Sequence, residues 1–447
     1  MVMSMLRFGT DGVRGRVGTD LVEDHVESLG VAVAQQWQRT EVVIGHDGRE
    51  SGASLVAAFS RGAKGAGASV TNVGLLPTPA LARLAARRDC VAVSVTASHN
   101  PWHDNGIKVF APGGRKLTDE EQQRIERRWH SLGESPRAAA LGGTDVGSTT
   151  GQAAISAYVQ ELVESLGIAD FAGQPVVLDC ANGATSQVAP AVMTALGLQT
   201  ETLNAAPSGR NINDNCGAVH PEQLAAQCAA RSAIGVAFDG DGDRLIAVDE
   251  TGNVVDGDRI IALMAADLHT RGLLAHDTVV VTSMTNLGFH RAMQRRGISV
   301  VTTDVGDRAV LAAMEEGGYV LGGEQSGHII NALHATTGDG VLAAVLLLDL
   351  VRRSQRRLAV LADAAMQRMP QVLRNVKLAA KPANIEALIA DELHRERTAL
   401  GDEGRIVVRV SGTEPVVRVM VEASSLETAH AVAERLEHAV LARTQTS

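Results

Sequence analysis

Apolar positions along this chain fall into short β-branched runs, each followed by a polar loop and then apolar residues at helical spacing. Three stretches share the pattern: EVVIGHDGRES from Glu41, PVVLDCANGAT from Pro175 and TVVVTSMTNLG from Thr278. Each helical stretch ends near a glycine that opens a second strand: GASVTNVG at Gly67, GLQTETLN at Gly197 and GISVVTTD at Gly297. Glycine is the usual helix stop before such a strand. The order predicts three related α/β units in tandem, their sheets largely parallel and covered by helices.

The last segment has a different rhythm: strand (Val372 to Leu378), helix (Ile385 to Arg397), strand (Arg405 to Val410), strand (Val416 to Glu422), helix (Leu426 to Ala442). That predicts a small α+β unit. Gly133 to Gly151, rich in Gly, Ser and Thr, reads as a linker. Further boundaries are expected near Glu250 to Gly257 and at Met369-Pro370. The domains are therefore expected at 1–150, 151–253, 254–368 and 369–447: three similar α/β/α domains with mixed sheets plus a C-terminal α+β domain, around a central cleft.

A chain of 447 residues can build several cores of this kind. Aromatics at 2% leave few stacking platforms, and a formal net charge of -10 is the wrong sign for a nucleic-acid binder. Neither forbids a local cationic pocket for a small anion. Cys90, Cys180, Cys216 and Cys228 show no Cys-x-x-Cys spacing, so zinc and redox motifs are not expected. MVMSMLRFGT lacks the apolar stretch of a signal peptide, and the run from Val341 to Leu348 is too short to span a bilayer. A cytoplasmic protein without membrane association is the expectation.

Five stretches carry candidate chemistry. TASHNP, 96–101, ends an apolar strand that begins at Cys90 on a serine, a histidine and an asparagine. It reads either as a turn or as a reactive hydroxyl, Ser98, on an exposed loop. FDGDGDRLIAVD, Phe238 to Asp249, sets Asp239, Asp241 and Asp243 between two apolar strands. Three carboxylates this close repel unless a cation joins them, and all-oxygen ligands favour Mg²⁺ or Ca²⁺. An EF-hand is excluded, because Arg244 stands where its turn glycine belongs and the flanks are strands. GGEQSGHII, Gly322 to Ile330, offers polar groups among glycines, suited to a hydroxylated ligand. RVSGTEPVVR places Ser411, Gly412 and Thr413 between Arg409 and Arg418, which suits a phosphate cradle or a plain hairpin turn. FGTDGVRG, Phe8 to Gly15, is a Gly-rich loop carrying Arg14 without Walker or Rossmann spacing.

Taken together and in this order, FGTDGVRG, TASHNPWHDNGIKVF, DGDGDR, GGEQSGHII and RVSGTEP resemble the α-D-phosphohexomutase superfamily over essentially the whole chain, and within it the phosphoglucosamine mutase group. NINDNCGAVHP at Asn211 and TTGDG at Thr336 are similar to the family as well. The resemblance implies an isomerase that interconverts glucosamine 6-phosphate and glucosamine 1-phosphate, on the way to UDP-N-acetylglucosamine and cell-wall precursors. It implies that Ser98 is a phosphoserine, and that Asp239, Asp241 and Asp243 hold one Mg²⁺ that also contacts it. Glu324, Ser326 and His328 would bind the sugar, and Arg409, Ser411, Gly412, Thr413 and Arg418 its phosphate. His99, Lys108, Arg14 and Arg244 match the family's catalytic neighbourhood, with Lys108 or His99 moving the proton of the attacking hydroxyl. Glucosamine 1,6-bisphosphate would be the intermediate, a phosphosugar the partner molecule, and homodimerisation is left open.

Three positions depart from the family pattern: Thr96 stands where Ser is frequent, Val410 where Lys is, and Trp102 where Tyr or Phe is. The alternatives are a sister mutase for glucose or mannose phosphates and a non-catalytic phosphosugar binder. Gln325 in the sugar loop argues against the first. The presence of Ser98 with all three aspartates argues against the second.

Overall fold

Valine- and isoleucine-rich runs build the centres of the sheets, where strands covered on both faces need apolar residues throughout. The computed structural model describes residues 6–9, 12–37, 41–132, 148–167, 170–382, 384–410 and 415–445. Ser411, Gly412 and Thr413 therefore lie outside the described residues. The described strands form four sheets. In the first, Glu41–His46 pairs in parallel with Ser69–Leu75 on one side and Val91–Val95 on the other, and Val91–Val95 pairs antiparallel with Asp104–Ala111. The second repeats this with Pro175–Asp179, Gln199–Leu203, Ile234–Phe238 and Leu245–Val248. The third repeats it again with Thr278–Thr282, Ser299–Thr303, Leu321–Gly323 and Ile329–Asn331. The sheets are thus mixed: a parallel centre with an antiparallel hairpin at one side.

That hairpin sets the position of the chemistry. Its loop is 96–103 in the first unit, 239–244 in the second and 324–328 in the third. The three chemistry-bearing stretches therefore sit at one topological position, used three times. The fourth sheet is fully antiparallel, with Val416–Glu422 between Gln371–Lys377 and Arg405–Val410.

The cores divide unequally. One apolar cluster runs through the first three units, from Val43 and Leu81 through Leu178 and Val281 to Leu347 and Met366. The opposite face of the first sheet has its own cluster around Ile44, Phe59 and Ile125. The fourth unit packs by itself around Val419, Leu436 and Val440. Helix Gly340–Ser354, which contains the run from Val341 to Leu348, is apolar nearly all round because it lies in the shared cluster. Among the described residues no helix is long and apolar enough to cross a membrane.

The fourth unit joins the third through a buried polar knot. Asn286 donates its amide to Glu422 Oε1 at 2.9 Å and its backbone N–H to Asp258 Oδ2 at 2.8 Å. Arg405 donates to Glu422 Oε2 at 3.0 Å. Asp258, Asn286 and Glu422 are fully buried, and burial with the neighbouring Asp256 pushes the Asp258 carboxyl up to about 7.

Two elements differ from the sequence reading. Helix Ser148–Leu166 includes the end of the segment read as a linker, because Ile155, Tyr158 and Leu162 give it a face buried in the shared core. The helix expected from Ile385 to Arg397 is broken into Ile385–Leu388 and Ala390–Leu400. The break falls at the fully buried Ile389, whose φ of -119° is not helical.

Candidate active site

Ser98 follows strand Val91–Val95 in the left-handed region, at φ +54°. It is 1% exposed, which corrects the expectation of an exposed loop. The cover comes from the second unit, where a Cβ on Gly240 would come within 2.6 Å of the Ser98 carbonyl. Only glycine allows that approach. Ser98 Oγ donates to Asp239 Oδ2 at 2.6 Å and lies 3.3 Å from His99 Nδ1. Burial, then Arg244 and Arg14, push His99 down to about 4, so its ring is neutral at neutral pH.

Asp239, Asp241 and Asp243 are buried and gather one oxygen each within 4.8 Å. Burial and the two neighbouring carboxylates push Asp239 up to about 8. Lys108 Nζ, from strand Asp104–Ala111, donates at 2.8 Å to Oδ2 of both Asp241 and Asp243. Thr78 Oγ1 adds a hydrogen bond to Asp241 Oδ2 at 2.7 Å. The other oxygens, Asp241 Oδ1 and Asp243 Oδ1, are buried with no hydrogen-bond partner among the described residues. Orphaned carboxylate oxygens in a buried cluster of negative charge fit a hard divalent cation.

The second and third hairpin loops are stitched together. Arg244 forms a bridge with His328, and Leu245 N donates to Gly327 O at 2.9 Å. His328 is 3% exposed, with Nδ1 3.6 Å from Asp243 Oδ1 and Nε2 3.8 Å from Asp307 Oδ2. These are ion-pair separations, too long for hydrogen bonds. Gly338 lies close to the ring, where a Cβ would meet it at 2.5 Å. His328 thus stands behind the carboxylate cluster, while Glu324 is half-buried and Ser326 exposed. Gly306 N donates to Glu324 Oε1 at 3.0 Å and fixes that carboxylate.

Arg409 and Arg418 face each other across the fourth sheet. Two guanidinium groups in register repel unless an anion lies between them. Both are half-buried, and the Nε of each has no partner among the described residues. Burial and Arg418 lower the Arg409 pKa, with Glu324 acting in the opposite sense. Glu324 is thus an acidic group within electrostatic reach of Arg409. Arg14 is half-buried on strand Val13–Arg16, paired with Gly106 beside the serine loop.

Sequence reasoning gave no role to Asp47, Arg49 or Asn213, and noted Thr96 only as a departure from the family pattern. Asp47, Arg49, Thr96 and Asn213 surround the Ser98 peptide: Thr96 accepts from Ser98 N, and both Arg49 and Asn213 donate to Ser98 O. An Asp and an Arg two positions apart after a buried strand was the available signal.

Four family models match the chain in order. They are the phosphoglucomutase/phosphomannomutase alpha/beta/alpha domains I, II and III at residues 5–135, 156–252 and 256–369, and the C-terminal domain at 373–439. The phosphoglucosamine mutase of Saccharopolyspora erythraea is 46% identical over 444 residues, covering 97% of this chain and 99% of that protein. A phosphoglucomutase/phosphomannomutase family protein from Burkholderia thailandensis superposes with a TM-score of 0.79 at 26% identity, covering 99% of this chain and 98% of that one. The N-acetylphosphoglucosamine mutase of Aspergillus fumigatus, solved with GlcNAc-6P and magnesium, shares the fold with a TM-score of 0.68 at 18% identity, over 99% of this chain and 96% of that one.

Proposed function

The chain belongs to the phosphoglucomutase/phosphomannomutase family, and from that premise we propose that it interconverts glucosamine 6-phosphate and glucosamine 1-phosphate. It is an isomerase of the phosphohexomutase type. The observation that carries the chemistry is Ser98 Oγ, 2.6 Å from an aspartate in a buried cluster with unpartnered carboxylate oxygens.

Ser98 is the phosphoryl carrier in this reading. In the first half-reaction the Ser98 Oγ–P bond breaks and a bond from P to O1 of glucosamine 6-phosphate forms. The O1 proton leaves, and Ser98 Oγ ends protonated. The product is glucosamine 1,6-bisphosphate. After the sugar turns around, the O6–P bond breaks and a bond from P to Ser98 Oγ forms; the Oγ proton leaves, O6 ends protonated, and glucosamine 1-phosphate departs. Splitting the exchange into two in-line steps avoids a direct transfer that one sugar cannot make.

Asp239, Asp241 and Asp243 would hold Mg²⁺, which when bound supplies positive charge to offset that of the transferring phosphoryl group. Arg244 and Arg14 add fixed positive charge beside His99 and Ser98. Lys108, already donating to two carboxylates, serves as a fixed ammonium. The neutral His99 ring lies 3.3 Å from Ser98 Oγ, beyond Asp239 Oδ2 at 2.6 Å, and a phosphoryl dianion on Ser98 would raise its basicity. Glu324 and Ser326 would meet the sugar hydroxyls, with His328 holding their loop to the cluster. Arg409, Arg418 and the loop at 411–413 would grip the phosphate distant from Ser98 in both half-reactions. The product would feed the synthesis of UDP-N-acetylglucosamine.

The test is turnover of glucosamine 6-phosphate with Mg²⁺ and trace 1,6-bisphosphate, followed by intact mass. One phosphoryl group on Ser98, absent in Ser98→Ala together with nearly all activity, is expected. A clear preference for mannose 6-phosphate would move the chain to the sister group. Substantial turnover by Ser98→Ala would refute the phosphoserine route.

A further inference from the structure

Ser98 is held by a closed circuit of hydrogen bonds. Its N–H donates to Thr96 Oγ1 at 2.8 Å, and Thr96 Oγ1 donates to Asp47 Oδ2 at 2.6 Å. The same Asp47 oxygen accepts from Arg49 Nε at 2.8 Å. Arg49 Nη2 then donates to Ser98 O at 2.9 Å, which closes the ring on the residue where it began. Asp47, Arg49, Thr96 and Ser98 are all at most 2% exposed. Arg49 also donates to the carbonyls of Asn100 at 2.8 Å, Asp104 at 3.0 Å and Pro101. One guanidinium thus fixes three carbonyls of the serine loop and the first of the strand that follows it. From the second unit, Asn213 Nδ2 adds bonds to Ser98 O at 2.9 Å and Asn100 O at 3.3 Å.

We infer that Thr96, Asp47, Arg49 and Asn213 are positioning residues that lock the Ser98 peptide in its left-handed conformation, and so aim Oγ for phosphoryl transfer. A residue with a Cβ disfavours that conformation and keeps it only where its surroundings over-determine it. Here both ends of the residue are held, the N–H through Thr96 and the carbonyl through two donors from two domains. Asp47 is not one of the carboxylates gathered for a cation, so the circuit acts through Ser98 and not on the metal-type cluster. In-line transfer is sensitive to such aim, since a misplacement of about 1 Å can cost on the order of a hundredfold in rate. The inference rests on the reading of Ser98 as phosphoryl carrier.

Three variants separate aim from folding. Thr96→Val keeps the shape and removes the bridging hydroxyl; Thr96→Ser restores it. Asn213→Gly keeps the positive φ of +55° at that position and removes the amide. The readouts are kcat and KM for glucosamine 6-phosphate, the rate of Ser98 phosphorylation by the bisphosphate from intact mass, and circular dichroism. Thr96→Val is expected to lose about ten- to a hundredfold in kcat and in the phosphorylation rate together, with KM within about twofold, and Asn213→Gly about tenfold. Thr96→Ser recovers most of the rate. Folded Thr96→Val and Asn213→Gly with wild-type kcat, or with only KM raised, would overturn the inference. If Thr96→Val does not fold, Asn213→Gly decides. If wild-type Ser98 takes no phosphoryl group, the functional reading fails first, and the aim of Ser98 has no reaction to serve.

Discussion

Replacing Lys108 by Met tests whether its ammonium is the built-in counter-charge of the carboxylate cluster. Nζ lies 2.8 Å from Asp241 Oδ2 and from Asp243 Oδ2, and all three side chains are at most 6% exposed. Unit charges about 4 Å apart attract by about 4 kcal/mol at the effective dielectric typical of proteins. Breaking a buried pair by removing one partner typically destabilises by about 3–5 kcal/mol. Metal-free Lys108→Met should therefore melt well below the metal-free wild type. The same change removes a positive charge that repels an incoming dication, so Mg²⁺ should bind the variant more tightly. Each tenfold gain in affinity adds about 1.4 kcal/mol of protection at saturating ligand. The assay is thermal unfolding of both proteins across a Mg²⁺ titration, with calorimetric affinity alongside. The Mg²⁺-induced rise should be larger in the variant even though its catalysis is lost. An equal or smaller rise would refute the counter-charge role and leave Lys108 as a proton or phosphate contact.

Arg409→Ala should lower kcat/KM about ten- to a hundredfold in both directions and release more bisphosphate, since one charged hydrogen bond is worth about 1.5–3 kcal/mol; a defect confined to one direction would contradict a shared cradle. Asp258 is pushed up to about 7 from 3.8, so the folded state holds a proton that the unfolded chain has lost. Its contribution is therefore present below about pH 4 and lost as pH rises towards 7, by at most about 4 kcal/mol. Asp258→Asn keeps an acceptor for Asn286 N and should be more stable than wild type at pH 8 but not at pH 4 in urea unfolding. A gap that does not change with pH would contradict that account.

The stretches that carry chemistry were legible because each follows an apolar strand and breaks it with residues a strand has no use for. Asp239, Asp241 and Asp243 announced a cation because like charges do not gather without cause, and the structure brings them within 4.8 Å. The repeat was legible in the strand–helix–strand order, but not the common hairpin position of the three loops, which needs strand direction. Asn213 grips Ser98 from 115 positions away, and no local pattern encodes that. His328 reads as a polar loop residue, yet it is buried because Asp243 and Asp307 come from different parts of the fold. The linker was misjudged at its end because the helix from Ser148 is stabilised by a face that only tertiary contact can bury.

The division of the cores has a consequence for how the protein is made. The apolar cluster that takes in Leu81 and Ala85 from the first unit reaches Met366 at its far end. One face of the first sheet is covered by helices Thr78–Arg88 and Ser148–Leu166, so during synthesis at about 5–20 residues per second it waits only roughly 3–10 s for the second of them. The other face, with Ile44 and Phe59, closes on residues already made. A nascent chain halted between the second and third units instead carries a second sheet that still lacks helix Gly340–Ser354, which packs on Ile234–Phe238 and Leu245–Val248, and so exposes the kind of surface that chaperones recognise. The fourth unit, whose apolar core among the described residues draws on nothing before Val372, can fold last without disturbing what precedes it.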